Sequence, residues 1–354
     1  MNRKRYPSSS RLYGKRSKTI GSRRRRNAPS WFPARVPFLL ATLLALIVAT
    51  ISLSYTRGFP EEGTRFLEGN GIPYPAVIAH RGASTLAPES TRPAYELAAA
   101  EGADYLEADL RRTADGQIVV FHDVTLRRTT NVEEFFPGRE RRAIGTYTFE
   151  ELKRLDSGAW FNQKYPFRRE ESYEGLSILT LEELLRLAEE AEGSPGLVLE
   201  IKEPAKYPGI EEEIVQTLEA EGWLNSSGAP SRQGSLIFFS FSLESLARLS
   251  RLAPRIPRVF LISGEMISWM RWRRWIRRVA PVVDGVGAKG FLSWPWYVGA
   301  AHSRGLFVLP YVVNEFWQIK LLAEFRADGY ITDRPEFARN FIEGSRPAGG
   351  EAEE

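Results

Sequence analysis

From Pro75 onward, short apolar runs alternate with stretches whose apolar residues recur every three or four positions. The short runs predict strands over residues 76–80, 104–110, 117–122, 196–202, 235–241, 258–262, 284–288, 306–313 and 329–332. The longer stretches, such as 89–101, 181–192, 210–221, 243–251 and 316–327, predict amphipathic helices. Strand and helix alternating over about 260 residues point to parallel α/β architecture, and that length suits a closed eight-stranded barrel. An open doubly wound sheet is the competitor. It is disfavoured because no glycine-rich phosphate loop follows the first strand, and because polar residues gather at the ends of many different strands. Residues 132–177 are aromatic, charged and dotted with glycine; they break the alternation and read as a compact insertion.

The first residues follow another pattern. No residue from 36 to 56 is charged, and 38–49 is almost purely apolar. Roughly 20 such residues match a hydrocarbon core of about 30 Å, so 36–56 is expected to be a transmembrane helix. Residues 1–35 hold Arg3, Lys4, Arg5, Arg11, Lys15, Arg16, Lys18, Arg23, Arg24, Arg25, Arg26 and Arg35 with no acid among them. By the positive-inside rule this is a basic cytoplasmic tail, and the chain is a single-pass protein of the cell membrane with everything after Thr56 outside the cytoplasm. A cleaved signal peptide fits less well: the basic region and the apolar run are too long, and no small-x-small site follows Ser54. The net charge of +4 therefore belongs to the tail, the remainder being acidic, so the partner it implies is anionic lipid and not nucleic acid. Residues 57–73, rich in glycine and proline, read as a linker, 74–343 as the barrel, and 344–354 as a disordered tail.

Composition adds one firm exclusion. The chain has no cysteine, so a thiolate zinc site and a cysteine nucleophile are both ruled out. Any metal must rest on oxygen or imidazole. Side chains alternate faces along a strand, so Glu107 and Asp109 share one face while Leu106, Ala108 and Leu110 share the other. Glu200 and Lys202 pair in the same way. In a barrel the polar set points inward near the C-terminal mouth, where three converging carboxylates repel one another unless a cation compensates them. A hard divalent ion, Mg²⁺ or Ca²⁺, suits such an oxygen set. The rival is a structural network in which Glu107 or Glu200 pairs with Arg81 or Lys202. His80 and His122 end two predicted strands and are candidates for acid/base work. His302, on the last turn of a predicted helix, reads as an exposed cation at a helix end. Arg81 and Lys202 are placed to bind an anion. Metal, two imidazoles and two cations together describe attack at a phosphate ester, and neither a serine nucleophile elbow nor a P-loop competes.

The blocks His80-Arg81-Gly82, Ala87-Pro88-Glu89-Ser90-Thr91, Glu107-Ala108-Asp109, His122-Asp123, Arg128-Thr129-Thr130, Glu200-Ile201-Lys202, Val313-Asn314 and Thr332-Asp333-Arg334-Pro335 resemble, in order and spacing, a glycerophosphodiester phosphodiesterase. The likeness runs from about residue 76 to 340. It implies a TIM (β/α)8 barrel that hydrolyses glycerophosphodiesters to glycerol phosphate and an alcohol, with a divalent metal on Glu107, Asp109 and Glu200. It also implies that His80 and His122 are the acid/base pair and that Arg81 and Lys202 bind phosphate, with Glu89 and Asn314 lining the site. Ser90 stands where the family commonly has asparagine, and Val312 where it commonly has threonine.

A lysophospholipase D acting on membrane lysolipids would use the same residues, and a non-catalytic barrel binding phosphorylated ligands is a reading of a different class. Two further stretches stand apart. In 266–278, Trp269, Trp272 and Ile276 share a helical face among arginines, which fits an outer barrel helix with its apolar face inward better than an interfacial helix. The aromatic stretch 291–297 follows a strand on the mouth side of a barrel, where it would line a lipid-binding lip or pack the next helix.

Overall fold

The computed structural model describes residues 62–344 except 267, 268, 291 and 292, together with Thr42, Leu43 and Leu46, which are helical. The expected transmembrane segment and basic tail lie outside the described residues apart from those three, as does 345–354. Among the described residues no helix is long and apolar enough to cross a membrane.

The strands are β1 (Ala76–His80), β2 (Tyr105–Arg112), β3 (Ile118–Val120), β4 (Gly196–Ile201), β5 (Leu236–Ser240), β6 (Arg258–Ile262), β7 (Gly285–Ala288), β8 (Phe307–Val308) and β9 (Gly329–Thr332). All but β3 are parallel staves in the order β8-β7-β6-β5-β4-β2-β1-β9. Backbone bonds join the two ends of that path: Asp328 N–H donates to Val308 O at 2.9 Å and Val313 N–H to Ile331 O at 2.8 Å. The result is a near-closed TIM-like barrel. The third predicted strand is real but is not a stave, because β3 folds back antiparallel on β2 as a hairpin.

Helix α1 (Glu62–Gly69) precedes β1. The helices outside the barrel are α2 (Arg92–Ala100), α3 (Leu181–Glu190), α4 (Ile210–Ala220), α5 (Leu243–Leu252), α6 (Trp269–Val279), α7 (Pro295–His302), α8 (Phe316–Glu324) and α9 (Pro335–Gly344). Strand alternation divides the packing as the sequence required. Leu106, Ala108, Leu110, Leu199 and Ile201 join the core between barrel and helices, while Ile78, Tyr105, Val198, Ile237, Val259 and Phe307 fill the lower interior. Packing there is close: a Cβ at Gly196 would lie 2.5 Å from the Tyr105 ring.

Three expectations need correction. Residues 57–73 are not simply a linker, since α1 occupies 62–69 and plugs the lower end of the barrel with Leu67 fully buried and Phe66 stacked on Phe307 at 5.5 Å. Glycine and proline on either side hid a stretch too short to show helical periodicity. His302 is buried, not exposed, and its Nε2 lies 2.8 Å from Asp328 Oδ2, because the last turn of α7 faces the barrel wall. Gly344 is not part of a disordered tail, as α9 runs through it. The inward reading of α6 holds: Trp272 and Ile276 are fully buried, and Trp272 stacks on Tyr297 at 4.5 Å. The insertion has a small core of its own around Val132, Ile144, Tyr147, Leu152 and Leu155, to which Phe121 contributes.

Candidate active site

The register of the staves assembles the mouth. β1 pairs with β2 so that His80 lies beside Glu107, and β2 pairs with β4 so that Asp109 lies beside Glu200. Glu107, Asp109 and Glu200 each present a carboxylate oxygen within 4.8 Å of the others, and all three are buried. They lie at a cavity of about 390 Å³ whose lining combines His80, Arg81, His122, Lys202 and Lys289 with Phe239, Phe241, Leu261, Tyr311 and Ile331.

Arg81 leaves β1 with φ of +58°, a conformation costly for a residue with a Cβ, and its backbone N–H donates to Glu107 Oε2 at 3.0 Å. Gly82 follows at φ +85°, where a Cβ would lie 2.5 Å from the Ala94 backbone, so only glycine lets the turn press against α2. The Arg81 side chain reaches Asp109 at 3.1 Å and Glu89 at 2.8 Å. Lys202 Nζ lies 2.9 Å from Asp109 and 2.6 Å from Glu200.

Both histidines are gripped from behind. His80 Nδ1 is 2.7 Å from Asp333 Oδ1, and His122 Nδ1 is 2.7 Å from Asp123 Oδ1. A carboxylate at Nδ1 holds the proton there and leaves Nε2 as the nitrogen available to a ligand. Asp333 is itself fixed by Asn314, whose Nδ2 donates to Oδ2 at 2.6 Å, and by Ser84 Oγ at 3.1 Å. Asp123 is fixed by Arg128 Nε at 2.6 Å, and Arg128 also clamps Glu89 at 2.6 and 2.7 Å.

The carboxylates titrate unequally. Burial, reinforced by Asp109 and Glu200, pushes Glu107 well above the usual carboxyl range. Burial also carries Glu200 up to about 7, although Lys202 pulls against it. Burial would raise Asp109 too, but Lys202 and then Arg81 outweigh it and hold that group below the usual range. Burial opposes the charge on Asp333 as well, yet its hydrogen bond with His80 keeps it low. Burial lowers the His122 imidazole despite the pull of Asp123.

The pairings of the rival structural network are therefore present, but they do not satisfy the triad. The contacts to Lys202 and Arg81 are close enough for ion pairs and misaligned for hydrogen bonds, so both Asp109 oxygens and Glu200 Oε1 lack a hydrogen-bond partner. Three clustered carboxylates, two of them with buried oxygens that lack a hydrogen bond, fit a divalent cation bound through oxygen.

Of the residues singled out from sequence, His80, Arg81, Glu107, His122, Glu200 and Lys202 line the cavity and Asp109 lies beneath it. Glu89 and Asn314 do not line it. Glu89 is held between Arg81 and Arg128, where these arginines outweigh burial and keep it ionised, and Asn314 sits behind Asp333. Ser90 adopts the left-handed conformation, φ +59°, which asparagine tolerates better, and its N–H donates to Arg81 O at 3.0 Å. Asp123, Arg128 and Asp333 stand in the motif blocks without a task that the sequence alone assigns. Tyr311 is the aromatic position of the block that ends in Asn314 and has no task in the sequence reading; Phe241 and Lys289 lie outside every block, although Phe241 continues the inward parity of Phe239, and Lys289 that of Gly285 and Gly287.

Residues 80–337 match the model of the glycerophosphoryl diester phosphodiesterase family. The glycerophosphodiester phosphodiesterase of Bacillus subtilis is 33% identical over 262 residues, covering 73% of this chain and 84% of that one. An Oleispira antarctica phosphodiesterase solved with its product sn-glycerol-3-phosphate superposes with a TM-score of 0.60 at 27% identity, over 76% of this chain and 97% of its own. A putative glycerophosphoryl diester phosphodiesterase of Silicibacter pomeroyi gives 0.64 at 29% identity, over 78% and 97%. With the match covering most of the barrel and the acidic triad in place, the chain belongs to the glycerophosphoryl diester phosphodiesterase family and is a phosphoric diester hydrolase.

Proposed function

We propose that the chain cleaves glycerophosphodiesters to glycerol phosphate and an alcohol, held at the cell membrane by residues 36–56 with its basic tail in the cytoplasm and its barrel outside. The observation that carries the chemistry is the convergence of Glu107, Asp109 and Glu200 in one cavity with two histidines, each fixed through Nδ1. Glu107, Asp109 and Glu200 would hold the divalent ion, Mg²⁺ or Ca²⁺, which when bound supplies Lewis-acid polarisation of the phosphate oxygens. Arg81 and Lys202 carry the charge that draws the phosphodiester in.

His122, which burial keeps neutral near pH 7, takes the proton of the substrate's own neighbouring hydroxyl as that oxygen bonds to phosphorus. His80, oriented by Asp333, gives a proton to the departing alcohol oxygen as its bond to phosphorus breaks. Water then opens the cyclic phosphate with the two roles exchanged. The non-catalytic reading is set aside, because the family is one of hydrolases. A lysolipid remains a second substrate class, favoured by Phe239, Phe241, Leu261 and Tyr311 in the cavity lining.

The test compares an alkyl leaving group with 4-nitrophenol, which departs without being protonated. His80→Ala should lose glycerophosphocholine hydrolysis by about 10²–10⁴-fold yet keep most of the nitrophenolate release from the nitrophenyl diester, with cyclic phosphate accumulating, while His122→Ala loses both. Equal losses on both substrates in both variants would overturn the assignment. Assaying free choline against glycerol phosphate, from glycerophosphocholine and from lysophosphatidylcholine, separates the two substrate classes.

A further inference from the structure

The flank of the barrel formed by α6, α7 and α8 carries exposed groups that the reaction does not use. Trp317 and Leu321 lie one turn apart on the outer face of α8, and Phe325 follows at the same spacing. Trp294 at the start of α7 stacks on Phe325 at 6.2 Å and on Trp296 at 5.2 Å, the latter with planes 1° apart. Trp294, Trp296, Trp317 and Leu321 are all exposed, so the stripe runs down the outside of the barrel with nothing over it among the described residues. Next to it α6 presents Arg273, Arg274, Arg277 and Arg278 outward, and α6 meets α7 through the Trp272–Tyr297 stack. No acid lies on α6 to balance them.

We propose that this flank docks on the surface of an anionic phospholipid bilayer, tryptophans at the headgroup level and arginines on the lipid charges. The inference rests on the membrane tether proposed above. Tryptophan and arginine together are the composition that suits an interface, where an amphipathic ring and a charge are both accommodated. Where the chain enters the barrel points the same way. α1 packs beneath β8 and against α7, the sector that bears the stripe. Only five residues separate Thr56 from Glu62, and at about 3.6 Å per residue they reach roughly 20 Å at most, so the proposed tether would keep this sector of the barrel near the bilayer. In the proposed docking the stripe lies on the lipid, with Phe316, exposed at the start of α8, beside it.

The absence of cysteine allows a direct test on the full chain. An environment-sensitive fluorophore is placed on Leu321→Cys, and in a second protein on Glu189→Cys, an exposed position of α3 across the barrel. Both are reconstituted in phosphatidylcholine–phosphatidylglycerol vesicles with doxyl-labelled lipid. The expected result is a blue shift at position 321 and lipid quenching at least about threefold stronger than at 189, weakened when Arg273, Arg274, Arg277 and Arg278 are all changed to glutamine. Co-flotation with vesicles but equal quenching at both positions overturns the docking and leaves the tether standing. Failure to co-float overturns both. Shielding at 321 that appears in detergent and grows with protein concentration means that a second copy covers the stripe, and also overturns it.

Discussion

On β2 the inward residue near the lower end of the barrel is Tyr105, and two and four positions further on it is Glu107 and Asp109. On β4 the same step runs from Val198 to Glu200 and on to Lys202, and the register carries it from Ile78 to His80 on β1 and from Ile331 to Asp333 beyond β9. The lower interior closes on α1 with apolar side chains in contact; the upper interior buries carboxylates that lack hydrogen-bond partners. Both halves hang on the same backbone, so the difference is one of height alone. The lower half stabilises the fold, whereas the upper half is held against its own repulsion by the surrounding packing and by two cations.

That contrast should appear most strongly in substitutions of one residue from each half. Glu200→Gln is expected to lower kcat by about 10³-fold or more, while raising the Tm in chelator by the equivalent of about 1–2 kcal/mol, since a buried repulsion is relieved. A fall in both quantities would mean that the upper carboxylates hold the barrel together after all. Leu67→Ala should do the reverse, costing about 2–5 kcal/mol in denaturant unfolding with kcat toward a soluble diester unchanged.

Metal and pH sharpen the comparison further. Chelation should stop turnover. In the metal-free protein Glu107 and Glu200 have raised pKa values, so the folded state holds protons that the unfolded chain has released. Their protonation favours the fold, and that contribution grows as pH falls through the Glu200 value of about 7. A divalent ion must displace those protons, so the rise in Tm on adding Mg²⁺ or Ca²⁺ should be larger at pH 8 than at pH 6. Equal shifts at both pH values would remove these glutamates from the metal's coordination. The smallest effect belongs to the support behind His80. Asn314→Ala takes two hydrogen bonds from Asp333, one to its carboxylate and one from its N–H, and should cost kcat about tenfold, corresponding to about 1–2 kcal/mol, with KM little changed.

Alternation along β2 and β4 made Glu107, Asp109, Glu200 and Lys202 legible in the sequence, because a period of two needs no knowledge of neighbours. The staves were legible for a related reason: a buried parallel strand is an uninterrupted apolar run. What could not be read was whatever depends on a partner distant in the chain. Asp333 lies 253 positions from the imidazole it orients, and Arg128 joins Glu89 to Asp123 through a bend no periodicity describes. His302 had the form of an exposed helix end, and only the position of Asp328 makes it a buried one. α1 was lost because eight residues give too little pattern to set against their glycines.

The antiparallel fold of β3 separates the supports of the two histidines. His80 stands on a stave, but His122 follows a hairpin whose next residue inward, Phe121, belongs to the core of the insertion, with its N–H on Asp109 O at 2.8 Å. Half of the proposed acid/base couple is therefore delivered by a module whose remaining residues make no part of the acidic triad. A lineage could exchange the body of that insertion, altering what approaches the cavity, provided that Phe121 kept its seat. The barrel would retain its triad and its sensitivity to metal, and the family could change substrates by trading one surface piece.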